Sequence, residues 1–156
     1  GSEMCIRDRL EGQCGGKISA ASLLALDEAA LRACGLSRQK RAGLHDLAAR
    51  ARDGRLRPDQ IWRLDDEDAR AAVTSVRGLG PWSAEVFLMF GLGRPDLLPT
   101  DDLGLRNGFQ RFLGSRRAPT PRRMEQVARP WRPWRTLACL YLWALLDNPP
   151  QRENAP

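Results

Sequence analysis

Two glycines one residue apart, with a proline directly behind them, constrain Val76-Arg77-Gly78-Leu79-Gly80-Pro81-Trp82-Ser83-Ala84 more tightly than any other stretch of the chain. Glycine tolerates positive φ and brings no Cβ into a tight turn. Proline suits the first position of a helix, where an N–H would have no partner within the helix. The pattern apolar-x-Gly-apolar-Gly-x-x-Ser-Ala therefore predicts a turn between two helices, with Gly78 and Gly80 both supplying positive φ and room. The N–H groups opening the second helix form a phosphate site without sequence preference, and the contact set is Arg77, Gly78, Leu79, Gly80 and Ser83. The bland alternative is a glycine-capped turn that binds nothing.

The rest of the chain reads as helix. Asp27 caps a short helix ending at Gly35, and Ser37 caps a second whose apolar face carries Leu44, Leu47 and Ala48 before Gly54 stops it. Asp65 starts a third helix, and the fourth, Trp82 to Phe90, is apolar nearly all round and is expected to be buried. Asp101-Asp102 open a fifth helix through Phe112, Thr120-Pro121 a sixth, and a last apolar helix runs from Trp134 to Leu146. Ile61, Trp62 and Leu64 are expected to plug into the core, as are Trp131 and Trp134. No β-period alternation or solenoid-length repeat occurs, so the fold class is all-α, a multi-helix bundle. Gly1 to Arg9 shows neither periodicity nor a capping residue and reads as a non-native leader; Gln13 to Gly16 reads as a loop. Residues 10–147 are expected to form one helical domain, and 148–156 a disordered tail.

The net charge of +6 points to a polyanionic partner, nucleic acid before membrane surface. Of the 25 basic residues only Lys17 and Lys40 are lysines. Arginine suits two-pronged phosphate binding, although a GC-rich genome gives the same bias. The arginines at 38, 41, 50 and 52 read first as a solvated helix face and second as DNA contacts. No stretch approaches the ~20 apolar residues of a membrane span. Cys5, Cys14, Cys34 and Cys139 lack metal-ligand spacing and have only His45 to help them, so no side-chain metal site is expected. The expected setting is a bacterial cytoplasm, associated with the nucleoid.

From Gly35-Leu36-Ser37 to Trp143 the chain resembles the helix-hairpin-helix (HhH-GPD) superfamily of DNA glycosylases, and within it the alkylation-repair enzymes acting on 3-methyladenine. The matching pieces are the hairpin through Trp82, then Leu98-Pro99-Thr100-Asp101-Asp102-Leu103, then Trp131-Arg132-Pro133-Trp134-Arg135 leading to Tyr141-Leu142-Trp143. The resemblance implies a helix-hairpin-helix glycosylase fold and a monomer that binds double-stranded DNA with a damaged base flipped out. It further implies a hairpin that grips the backbone, often with a monovalent cation on its carbonyls, and otherwise no cofactor.

The resemblance also places the family's essential carboxylate at Asp102, twenty residues beyond Trp82. One acid suffices for this chemistry. Hydrolysis of neutral glycosides uses two carboxylates, whereas a base alkylated on a ring nitrogen is already cationic and departs unprotonated. What remains is to stabilise an oxocarbenium-like sugar and to orient or deprotonate water. Helix capping is the competing reading for both acids, with Asp101 expected to cap while Asp102 faces the cleft. Trp82 stands where strand-cleaving relatives carry a Schiff-base lysine, which implies simple hydrolysis to an abasic site. Trp82 and Trp143 would wall the pocket and stack on a cationic base, and Arg132 and Arg135 are candidate backbone contacts. Val86 departs from relatives with a third aromatic one helical turn after Trp82.

In the family, helices before the position of Gly35 contribute to the cleft and carry a wedge residue. Residues 10–34 are too few for that half, so the chain reads as an N-terminally truncated fragment. Such a fragment would leave exposed an apolar face that the missing helices cover. A non-catalytic helix-hairpin-helix module and a basic helical interaction bundle remain as alternatives; Asp102 argues against the first and salt-dependent DNA binding would argue against the second.

Overall fold

The computed structural model describes the backbone of residues 3–147 and the side chains of residues 6–147. Residues 148–156, expected as a disordered tail, and the first two residues of the expected leader lie outside the described residues. The described residues hold nine α-helices, three shorter helical turns and no strand. None of these helices is long and apolar enough to cross a membrane. The chain divides into two compact units, Gly1–Ala84 and Glu85–Pro156.

The first unit holds α1 (Glu3–Gln13), α2 (Ala20–Ala25), α3 (Glu28–Ala33), α4 (Arg38–Asp53), a 3-10 turn (Ile61–Arg63) and α5 (Asp66–Thr74). Side-chain oxygens open these helices where the sequence marks them. Asp27 accepts from the N–H of Ala30 at 2.7 Å, Ser37 from Lys40 at 3.3 Å and Asp65 from Asp68 at 2.8 Å. Gly54, at φ 80°, closes α4. A reciprocal box between Ser19 and Ser22 opens α2, which the sequence reading did not resolve. Leu10, Leu23, Leu31, Cys34 and Ala48 form the core on which α2 and α3 meet α4.

α1 runs through most of the segment set aside as a leader and on into the expected loop at Gln13. Its weak apolar pattern explains why it left no sequence signal. Among its described side chains only Leu10 is buried, against α2–α4. Trp62 departs from its expected core position and is 59 % exposed. It is satisfied there, because its indole N–H donates to the carbonyl of Asp59 at 2.9 Å and the Arg63 guanidinium lies over its ring.

α6 (Pro81–Val86) contains the division between the units. The second unit continues with a π-helical turn (Phe87–Gly91), α7 (Leu103–Phe112), α8 (Pro121–Ala128), a 3-10 turn (Arg129–Trp131) and α9 (Arg135–Asp147). Its core gathers Leu88, Met89, Leu105, Phe109, Met124 and Cys139. Helices α7 and α9 touch backbone to side: a Cβ on Gly108 would lie 2.6 Å from the Leu142 carbonyl oxygen. Trp131, half-buried, stacks on Phe109 at 5.4 Å between ring centroids and meets Phe112 edge-on.

Two expectations fail here. Trp134, just ahead of α9, is 62 % exposed instead of core. The segment Trp82 to Phe90 is not buried all round, because Ala84, Leu88 and Met89 turn inward while Trp82 and Phe90 remain more than half exposed. The π turn, with Leu92 N–H bonded to the Phe87 carbonyl, resets the helical register within that stretch. Along α9, Leu137, Leu140 and Tyr141 are likewise exposed.

Candidate active site

The hairpin closes the first unit. Val76 and Leu79 each donate a peptide N–H three residues back, to Val73 and Val76, at 3.1 Å. Gly78 takes φ 82°, a conformation a side chain would strain. Gly80 does not share it: its φ is not positive, and a Cβ there would meet nothing within 4 Å. Only one of the two glycines is thus required by the turn, which corrects the expectation for Gly80. Pro81 opens α6, and the first bond of that helix runs from the Ala84 N–H to the Gly80 carbonyl at 3.1 Å. The first turn of any α-helix has peptide N–H groups without an acceptor one turn back in the helix. Arg77 and Gly78 are exposed, Leu79 and Ser83 half-buried. Trp82 is exposed; Val86, at the far end of α6, is half-buried.

In the second unit the acid is held by two donors. Asp102 is the N-cap of α7, and its Oδ1 accepts the Leu105 peptide N–H at 2.6 Å and the Trp143 indole N–H at 2.9 Å. The expectation that Asp101 caps this helix is corrected. Capping belongs to Asp102, because Leu103 is the first helical residue and the N–H three positions after the cap is that of Leu105. Asp101 is exposed. Trp143, anticipated as a pocket wall, also anchors the carboxylate through its ring nitrogen, and Phe90 lies beside it at 6.3 Å between centroids.

The loop leading to Asp102 is tied to the start of α9. Arg135 grips Asp96 with Nε at 2.5 Å and Nη2 at 2.9 Å, and also donates to the Asp96 carbonyl. That guanidinium holds the Asp96 carboxyl below its ordinary 3.8. Arg135 is thereby committed to the loop, and Arg132, itself exposed, also approaches the Asp96 carboxylate at 3.8 Å. Thr136 accepts the Leu97 N–H at 3.0 Å and donates to the Arg94 carbonyl at 2.7 Å. Burial pushes the Cys139 thiol up to about 12, with Asp102 adding to the rise and Arg135 opposing it. Arg135, Thr136, Cys139 and Trp143 thus line the side of α9 that holds the loop and the acid. The sequence marked Trp143 as a pocket wall and Arg135 as a backbone contact, not as anchors of the acid and its loop, and gave no sign of the other two.

On the hairpin side, sequence reading missed Gly43 and Asp46 of α4, which meet the backbone of Arg77. No three His, Cys, Asp or Glu residues gather as a metal-binding group among the described residues.

Comparison with known proteins matches residues 4–133 to the HhH-GPD superfamily of base excision DNA repair proteins. DNA-3-methyladenine glycosylase 1 of Schizosaccharomyces pombe is 33% identical over 119 residues, 76% of this chain and 52% of its own length. DNA-3-methyladenine glycosylase 2 of Escherichia coli is 34% identical over 121 residues, 78% of this chain and 40% of its own. The chain thus spans about half the length of these curated relatives. Among solved structures, the S. pombe 3-methyladenine DNA glycosylase in complex with abasic DNA superposes with a TM-score of 0.81. It is 28% identical, over 93% of this chain and 72% of that one.

Proposed function

The chain belongs to the HhH-GPD superfamily of base excision DNA repair proteins, and from that premise we propose that it is the catalytic part of a DNA glycosylase removing alkylated purines. Its substrate is double-stranded DNA with the damaged base turned out of the stack. The hairpin around Gly78 and Gly80 takes the phosphate backbone, and a monovalent cation on its carbonyls is part of this reading. The chain acts as a monomer in the bacterial cytoplasm.

The observation that carries the proposal is the carboxylate of Asp102, fixed at the start of α7 by the Leu105 and Trp143 N–H groups. A carboxylate held by two donors on one oxygen is oriented before any substrate arrives, which is what transition-state stabilisation requires. The alkylated base leaves with the electron pair of its glycosidic bond, and that pair cancels its positive charge. The sugar C1′ is left electron-poor, and the negative charge of Asp102 stabilises it. Water then adds to C1′ and gives up a proton, leaving an abasic site. Trp82 supplies an aromatic surface without an amine, so no Schiff base forms and the strand is not cut. In the second unit, Trp143 offers a further aromatic surface to the base, and Val86 is the less aromatic position of this reading.

Incubating the chain with a duplex carrying methylated purines and assaying abasic sites tests this reading, with Asp102→Asn in parallel. The expected result is activity in the parent that falls by about two to three powers of ten in the variant. Equal activity in both would refute the role of Asp102. Salt-dependent duplex binding with no activity in either would favour a binding module over an enzyme.

A further inference from the structure

The hairpin does not hold its shape alone. Thirty-one residues earlier in the chain, Asp46 reaches from α4 and accepts the peptide N–H of Arg77 on Oδ2 at 2.8 Å. The same oxygen accepts Nε of Arg50, one turn further along α4, also at 2.8 Å. Next to this bond, α4 approaches so closely that a Cβ on Gly43 would stand 2.6 Å from the Arg77 carbonyl oxygen. Both backbone polar groups of Arg77, which belong to the two successive peptide planes leading into Gly78, are therefore set against α4: its carbonyl by the close approach of Gly43 and its N–H by the carboxylate of Asp46. The bond to the Arg77 backbone is the first cause holding the Asp46 carboxyl below its ordinary range, followed by Arg50.

We infer that Asp46 is a positioning residue for nucleic-acid binding, orienting the hairpin through the Arg77 peptide while touching no phosphate itself. This rests on the reading of the hairpin as the backbone grip. An acid near a polyanion site normally weakens binding, so its presence there demands a compensating duty. Fixing the backbone of Arg77, the residue before Gly78, is that duty. Glycine at positive φ has wide conformational freedom, and holding both backbone groups of the residue before it restricts that freedom on the entering side.

Charge and geometry predict opposite signs, which makes the test decisive. Affinity for an undamaged duplex is measured by fluorescence anisotropy across a range of salt, for the parent and for Asp46→Asn, Asp46→Glu and Asp46→Ala. Asn keeps an oxygen for the Arg77 N–H and should bind within about twofold of the parent. Glu keeps the charge but misplaces the oxygen, and Ala removes it; both should bind about five- to tenfold more weakly, the order of one hydrogen bond. The salt slope should not change, because no phosphate contact is lost. Equal or tighter binding by Ala and Glu, or a loss confined to thermal stability, overturns the inference; if Ala fails to fold, the comparison of Glu with Asn stands alone. Gly78→Ala serves as the control for the hairpin. Should the parent bind and this variant lose affinity while Glu does not, the inference alone fails. Should the parent not bind, or Gly78→Ala bind as the parent does, the hairpin reading fails and takes the inference with it.

Discussion

Asp102 has two duties in this fold, and replacing it by Ala and by Asn separates them. Alanine removes the N-cap of α7, which costs about 1 kcal/mol within a usual range of 0.5–2. It also strands the indole N–H of Trp143, half-buried and bonded at 2.9 Å in the parent. An orphaned donor costs a further 1–3 kcal/mol or so. The sum, roughly 2–4 kcal/mol, corresponds to a fall in melting temperature of about 5–15 °C for a chain this size. Asparagine is as good a cap as aspartate and keeps Oδ1 for both donors. What it loses is the charge at the helix start, worth about 0.3–1 kcal/mol. Thermal unfolding followed by circular dichroism should therefore place Asn within a few degrees of the parent and Ala well below, whereas abasic-site formation should be lost alike in both. Trp143→Phe supplies the cross-check, since it removes the other end of the same bond, and its loss should not add to that of Asp102→Ala. An Asn variant as unstable as Ala, or full additivity with Trp143→Phe, would refute the reasoning.

Three further outcomes follow from the second unit and from the free thiols. Gly108→Ala drives a Cβ to 2.6 Å from the Leu142 carbonyl and should destabilise by about 1–3 kcal/mol, while Gly12→Ala in α1, with nothing within 4 Å, should stabilise by up to about 1 kcal/mol; urea unfolding of the two variants would show opposite signs. Because Arg135 holds the Asp96 carboxyl below 3.8, the contribution of this pair is present above that pH and is lost as pH falls beneath it. Melting temperatures of the parent and Arg135→Gln should accordingly differ most near neutrality and converge in acid, once pH falls through the lowered value of the folded Asp96 carboxyl. Cys139, buried and with its thiol raised to about 12, should resist iodoacetamide at pH 8 in the folded chain while half-buried Cys14 is modified first; mass spectrometry of the labelled peptides checks the order.

The parts of this fold that were legible in sequence are those written locally. Asp27, Ser37, Asp65 and Thr120 each announce a helix because the cap and the N–H it binds are three residues apart. Gly78 announces the turn for the same reason. What escaped depends on distance along the chain or on competition between equals. Asp101 and Asp102 carry identical groups, and only the position of the first helical turn decides which of them caps. The bond from Asp46 to Arg77 and the grip of Arg135 on Asp96 each join residues more than thirty positions apart, where no local pattern can signal them. Trp62 and Trp134 were misplaced because a large apolar ring satisfies itself at a surface when its N–H finds a carbonyl or its face a cation, as Trp62 does. α1 escaped because one buried leucine is too little to set up a period.

The unequal glycines of the hairpin make it a gauge of whether a chain like this still does its work. Gly78 is demanded by the backbone, so any descendant that folds must keep it or rebuild the turn. Gly80 answers to no neighbour within the protein, and a methyl group there would cost the folded chain almost nothing. Under the proposed reading its smallness serves a nucleic-acid backbone that comes from outside and presses close. A lineage that abandoned nucleic acid would be free to fill Gly80 while retaining Gly78, and would carry in that one position a record of the change.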